Sequence, residues 1–248
     1  MYCVIELAEP SPFFLASLTG IDPLYPSLSL VRFNDLACVV SDSALKEYPV
    51  TREYSLKHQQ IIEEVMKIHP VLPIAFSTVA KSSENILSKV LEPRYQEFKN
   101  LLRWVSDKVE LGLKVYWKEI SKLFEVITEE RKEIRILKET IAAKPPAATY
   151  YDRIELGKMV KTAFEKKKEQ EEVLLLEALR PHAVDMKTNS TYGDEMILSA
   201  AFFIEKAREA EFDQAIQELA ARSNGNLRFK YVGPVPPFNF VTVRIKWE

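Results

Sequence analysis

The sequence predicts an α+β chain built from two sheet-plus-helices units. Three observations point there: short apolar, β-branched runs interspersed with amphipathic stretches of helical period; a switch after Trp117 to a long helical period that reverts after Pro181; and, in each half, an amphipathic helix ("IIEEVMKI", "AIQELAAR") leading into a proline-punctuated aromatic region ("VLPIAF", "VGPVPPFNF"). A length of 248 residues favours two domains over one. Hydrophobic residues at 47% and charged residues at 28% place the chain among folded globular proteins. No stretch approaches the roughly 18 consecutive apolar residues of a membrane span.

The first half opens with a strand over residues 2–7. Strands at 29–33 and 36–42 follow, joined by Asn34-Asp35, a hairpin dipeptide. Tyr54, His58, Ile61, Val65 and Ile68 then recur on one helical face, with Thr51 as N-cap, until Pro70 ends the helix. "VLPIAFSTV" at 71–79 reads as a strand whose Pro73, lacking an N–H, favours an edge or a bulge. Ser82 or Ser83 caps a second helix running to about Trp104, kinked at Pro93. "KVELGLKVYW" at 108–117 alternates Val109, Leu111, Leu113 and Val115 on one face, as a half-buried strand does.

From Lys118 the period is helical to about Ala143, where Lys144, Pro145 and Pro146 break it. A second long helix spans 151–179, and the pair reads as a helical hairpin. Its charge run "EKKKEQEE" at 165–172 is a solvated face with i,i+4 pairs. Strands are expected around 182–190 and 196–206. A helix burying Phe212, Ile216, Leu219 and Ala220 follows and ends at Asn224-Gly225-Asn226. "LRFKYV" and "FVTVRI" close the chain as strands either side of Pro234, Pro236 and Pro237, which belong to a bend. The expected domains are residues 1–117 and residues 118–248, the latter a hairpin at 118–180 plus an α+β unit at 181–248. Each half is expected to be ferredoxin-like or modified ferredoxin-like.

Composition also limits function. The 34 basic and 36 acidic residues leave a formal charge of −2, which supplies no global field for nucleic acid or an anionic membrane. No positive segment precedes the first apolar run, so no signal peptide is read and a cytosolic protein is expected. Cys3 and Cys38 fit neither a zinc site nor a CxxC redox motif and are expected as reduced, buried thiols. No phosphate-binding glycine motif occurs among six glycines. The three histidines have no metal-binding spacing, and His58, on the apolar face of its helix, is expected to be packed and hydrogen-bonded. Adjacent glutamates such as Glu63 and Glu64 point about 100° apart and do not converge for acid–base work. A non-enzyme without cofactor or metal is the expectation. Its candidate partner surface is a sheet edge at Val71, Leu72, Pro73, Ile74, Ala75 and Phe76, open to strand addition.

Four blocks in order, "VLPIAFSTV", "VELGLKVYW", "MILSAAFFIEK" and "YVGPVPPFNFV", span nearly the whole chain and together resemble the GvpF/GvpL family of gas vesicle proteins, with the F branch favoured by the compact length. The terminal block supplies the family motif: Gly233, Pro234, Pro236, Pro237, Phe238 and Phe240. The family commonly carries arginine near Ala75, glycine near Ser77, tryptophan at Val235 and tyrosine at Phe238. The resemblance implies an accessory protein for gas vesicle formation that contacts the hydrophobic shell protein GvpA and limits its aggregation during nucleation, with other accessory proteins as further partners. A wall-associated structural component is the alternative. An enzyme on a ferredoxin-like scaffold is a third reading, which would need a pocket of convergent polar groups with perturbed pKa values.

Overall fold

Strands β1 (Cys3–Glu6), β2 (Leu28–Phe33), β3 (Leu36–Ser41) and β4 (Leu72–Pro73) form an antiparallel sheet in the order β2-β3-β1-β4. The structure, a computed structural model, describes residues 1–7, 28–43, 47–245 and 247. Contacts divide the chain into two units, each discontinuous in sequence: Met1–Leu111 with Phe203–Ala207 and Val232–Glu248, and Gly112–Phe202 with Arg208–Tyr231.

In the first unit the β2–β3 hairpin turns at Asn34-Asp35, where Asn34 takes φ 53°, a left-handed conformation that asparagine tolerates. Helix α1 (Arg52–Met66) starts where Thr51 Oγ1 accepts the Tyr54 N–H, and it buries His58, Ile61, Ile62 and Val65. Ile68, expected on this face, lies beyond the helix end and is exposed. Both faces of the sheet are covered. Cys3, Ile5, Ala37 and Val39 pack with Ile62 and Val65 of α1 on one side. Val4, Leu36, Cys38, Val40 and Leu72 pack on the other with Val90, Leu91, Phe98 and Leu102. Burial on two faces explains why β1 and β3 read as continuous apolar runs and not as alternating ones. Cys3 and Cys38 are free and buried, and burial pushes the Cys38 thiol up to about 12.

Three expected elements of the first unit differ. The strand at 71–79 is reduced to β4 with a single further bridge at Ile74, because Pro73 offers no N–H and Ser77 turns the chain at φ 64°. The helix at 82–104 is divided into α2 (Ser83–Ile86), a π-helical turn at Leu87–Leu91 and α3 (Tyr95–Val105). Ahead of Pro93, the Glu92 N–H reaches back five residues to Leu87 O at 2.9 Å, and the helix restarts past the proline. The last strand, "FVTVRI", is a lone parallel bridge from Val243 to Ile74.

A second four-stranded sheet, most of whose residues fall in the second unit, has the order β6-β7-β5-β8, with β5 (Lys108–Trp117), β6 (Asp185–Thr188), β7 (Met196–Glu205) and β8 (Leu227–Val235). The expected 118–143 helix is two, α4 (Ile120–Glu130) and α5 (Lys132–Ala142), parted at an extended Arg131 that no proline or glycine marks. Ile127 and Ile134, one on each helix, are both buried. α6 (Tyr150–Leu179) packs against α4, α5 and α7 (Glu209–Arg222). Phe164 stacks on Phe124 at 5.3 Å between ring centroids, and Phe212 of α7 meets Phe202 at 5.0 Å. Asn224 and Gly225, at φ 49° and 76°, end α7 and lead into β8, the edge strand that accommodates Pro234. Two four-stranded sheets flanked by helices realise the expected α+β class.

Candidate functional site

Only part of the expected partner edge is accessible. Val71, Leu72, Pro73 and Ile74 are buried, while Ala75 and Phe76 are half-buried. The backbone outside β4 is occupied by the chain's own C-terminal segment: Val243 N–H donates to Pro73 O at 2.7 Å, and Ala75 N–H donates to Val243 O at 3.1 Å. Val241 and Val243 enter the core that holds Leu72 and Ile74. Burying each valine contributes on the order of 1.5–3 kcal/mol.

The terminal motif packs into the same unit. Pro236 and Pro237 are buried, and their carbonyls accept the N–H groups of Phe238, Phe240 and Val241 in a tight bend. Phe238 lies against the core cluster that contains Val71, and Phe240 stacks on Phe203 at 4.8 Å. Gly233 and Pro234 are exposed, yet a Cβ on Gly233 would meet Leu111 Cδ2 at 2.6 Å. Glu110, on the face of β5 expected to be solvated, is buried and accepts two hydrogen bonds from Asn239. Its signal in the sequence was a lone carboxylate inside an apolar strand.

Beside Phe76 a cleft of about 420 Å³ opens in the first unit, walled by the rings of Tyr2, Tyr48, Tyr54, His58 and Phe76. Three elements bring these rings together: the residue preceding β1, the first two turns of α1 with the segment leading into it, and the turn after β4. Ser77, a non-glycine residue in the left-handed region, joins two of the walls, because its Oγ accepts the Tyr48 N–H at 2.7 Å. Tyr2 OH pairs with Ser41 Oγ at 2.8 Å, and Ser43 Oγ donates to Tyr48 OH at 2.9 Å. The α-ammonium of Met1 donates to Thr78 O at 3.2 Å, and burial lowers its pKa.

His58 lies in the cleft wall between Tyr2 and Phe76, with ring centroids at 5.3 and 5.5 Å. Burial pulls its pKa down to about 4, against a smaller opposing effect of the bond to Ile74 O. Its Nε2 lies 3.0 Å from that carbonyl, which can only accept, so the neutral ring carries its proton there. This is the packed, hydrogen-bonded histidine expected from the sequence, its proton committed to the backbone. Among the described residues, no group of three or more His, Cys, Asp or Glu is placed to hold a metal ion. Tyr2, Tyr48, Tyr54 and Ser77 were not singled out in the sequence as a site. Only the glycine that the resembling family places near Ser77 hinted at its backbone conformation.

Fold and cleft together define a two-unit α+β protein with a polar–aromatic recess in its first unit. The chain belongs to the gas vesicle synthesis protein GvpL/GvpF family, whose model matches residues 1–242. It is 30% identical over 242 residues to gas vesicle protein F of Streptomyces sp. (strain CB03234), covering 97% of this chain and 98% of that one. Gas vesicle protein F of Dolichospermum flosaquae is 22% identical over 209 residues, with 84% of each chain covered. Two crystal structures share the fold at 18% identity. GvpF of Anabaena sp. PCC7120 has a TM-score of 0.80 over 98% of this chain and 97% of that one. GvpF of Microcystis aeruginosa has a TM-score of 0.73 over 96% of each. Family membership supports a gas vesicle-related role. No described helix is long and apolar enough to cross a membrane.

Proposed function

We propose that this protein is a non-catalytic accessory factor for gas vesicle formation, acting in the cytoplasm or at the vesicle. It binds the hydrophobic shell protein GvpA during nucleation and assembly and limits its aggregation. The aromatic-walled cleft of the first unit carries this reading, because it gives a recessed apolar surface with hydrogen-bonding groups at its rim, the make-up of a protein-docking pocket. Strand addition at β4 would compete with Val243, which bridges Ile74 at that edge. Of the residues first expected to bind, Phe76 is the one that lines the cleft. Co-expression of the full chain with the shell protein, followed by affinity capture and by turbidity of the shell protein alone and with the factor, tests the reading. Stoichiometric capture and suppressed turbidity are expected. Absence of both would sink it.

A wall-associated role in contact with other accessory proteins has one observation in its favour. Val126, Ile136, Tyr150, Tyr151 and Ile154 on α4, α5 and α6 are large apolar side chains between 42% and 82% exposed. Under that reading the protein stays with purified vesicles through urea washing, whereas a transient factor is removed.

A further inference from the structure

The cleft has a chemistry that narrows its occupant. Resting on the docking role just proposed, we infer that it seats a neutral aromatic side chain of the partner protein. Its rings form two groups of neighbours: Tyr48 meets Tyr54 edge-on at 5.4 Å and 71°, while His58 stands between Tyr2 and Phe76, edge-on to Phe76 at 82°. Aromatic rings favour tilted and edge-to-face neighbours because face and edge carry opposite charge, so a further ring is the apolar group that such walls accept best. A volume of about 420 Å³ lies at the small end of ligand pockets and suits one large side chain with the backbone on either side of it.

Charge argues for a neutral occupant. Lys57 is paired with Glu53 at 2.9 Å, and the remaining charged side chains of the lining, Lys81 and Asp42, are of opposite sign. The Met1 ammonium is held on the Thr78 carbonyl. His58 is uncharged at neutral pH, since burial disfavours its cation. A cation gains no net counter-charge there, and an anion meets only the Met1 ammonium, which the Thr78 carbonyl already engages and whose charged form burial disfavours. Exposed Ser83 stands among the lining residues and places a hydroxyl where the peptide groups of an incoming chain would pass.

Backbone strain supplies an independent sign. Ser77 at φ 64° adopts a conformation that L-residues other than glycine avoid, and such residues persist where surrounding contacts over-determine them, often at ligand clamps. Here the Ser77 hydroxyl holds the Tyr48 backbone, which fixes the distance between the Tyr48 and Phe76 walls.

The test is a titration of the ¹⁵N-labelled full chain with N-acetyl-L-tryptophanamide, with benzoate and benzyltrimethylammonium as charged aromatic controls. Saturable shifts of the Tyr48, Phe76 and Ser77 amides are expected with the neutral probe, with affinity at least tenfold weaker for both charged probes and for Tyr54→Ala. Tyr48→Leu, which keeps apolar bulk, serves as a second variant should Tyr54→Ala melt early. Either variant is also expected to capture at least tenfold less shell protein. No saturable shift in the wild type, or undiminished probe binding by both variants, overturns the seat. If the wild type takes the probe yet captures no shell protein, the partner is wrong and the pocket chemistry stands. If wild type and variants capture the shell protein equally, the seat is wrong and the docking role stands.

Discussion

The carboxylate of Glu110 accepts the backbone N–H of Asn239 at 2.8 Å and a second bond from the Asn239 side-chain amide, across 129 residues of sequence. The pair anchors the C-terminal segment beside the point where Val241 and Val243 enter the core. A buried carboxylate keeps its charge only with donors to replace water, so Asn239 matters more than a surface asparagine would. Asn239→Ala removes the side-chain donor and leaves Glu110 less satisfied. A loss of roughly 1.5–3 kcal/mol is expected in urea unfolding. Exposed Asn100→Ala, within about 0.5 kcal/mol of wild type, is the control. Equal effects of the two substitutions would show that the clasp carries no stability.

Gly233 packs against the backbone of Glu110 and Leu111. Its φ of 146° is one that side chains rarely adopt, and an added Cβ would lie 2.6 Å from Leu111 Cδ2 and 3.1 Å from Glu110 O. The side-chain atom could swing away; the carbonyl cannot. Strain and overpacking together are expected to cost Gly233→Ala about 2–4 kcal/mol. Gly157→Ala is expected to be neutral or slightly stabilising, because its backbone is helical and a Cβ added there would meet nothing within 4 Å. A melting temperature for Gly233→Ala at or above that of Gly157→Ala would refute the close approach.

Local chemistry made much of the fold legible. Asn34-Asp35 specified its hairpin, Thr51 its cap, and Phe212 with Ile216 the buried face of α7. What stayed hidden depends on partners distant in the chain. The pairing of Val243 with Ile74 has no local signature, and the turn at Ser77 that cuts the strand short lies in a run of strand-forming residues. The alternation in β5 suggested one solvated face, which the C-terminal segment covers at Glu110. The cleft was illegible for a related reason: Tyr2, Tyr48, Tyr54 and Phe76 sit in different elements, and each alone resembles an ordinary core or surface aromatic.

The proline bend separates stability from binding. Pro236 and Pro237 are buried and restrict the unfolded chain, while neither lines the cleft. Replacing both by alanine raises the entropy of the unfolded state and is expected to lower stability by about 1–2 kcal/mol in total. Shell-protein affinity per folded molecule is expected to stay within twofold of wild type. Stability that held while capture vanished would make the bend, and not the cleft, the docking surface.

His58 makes stability depend on pH in a stated direction. Its folded pKa of about 4 lies below the ordinary histidine value of 6.5, so between these the unfolded chain binds the extra proton. Stability from this group is therefore fully present above about pH 6.5 and is lost as pH falls toward 4. The difference corresponds to an upper figure of roughly 3 kcal/mol. Protonation would also place a charge between Tyr2 and Phe76, in the wall of the cleft. Urea midpoints measured at half-unit steps from about pH 7.5 to 4.5 are expected to decline below about 6.5. His58→Gln, which can still donate to Ile74 O, is expected to flatten that decline while leaving the contribution of the carboxylates below about pH 5. An unchanged slope in His58→Gln would assign the decline to other groups.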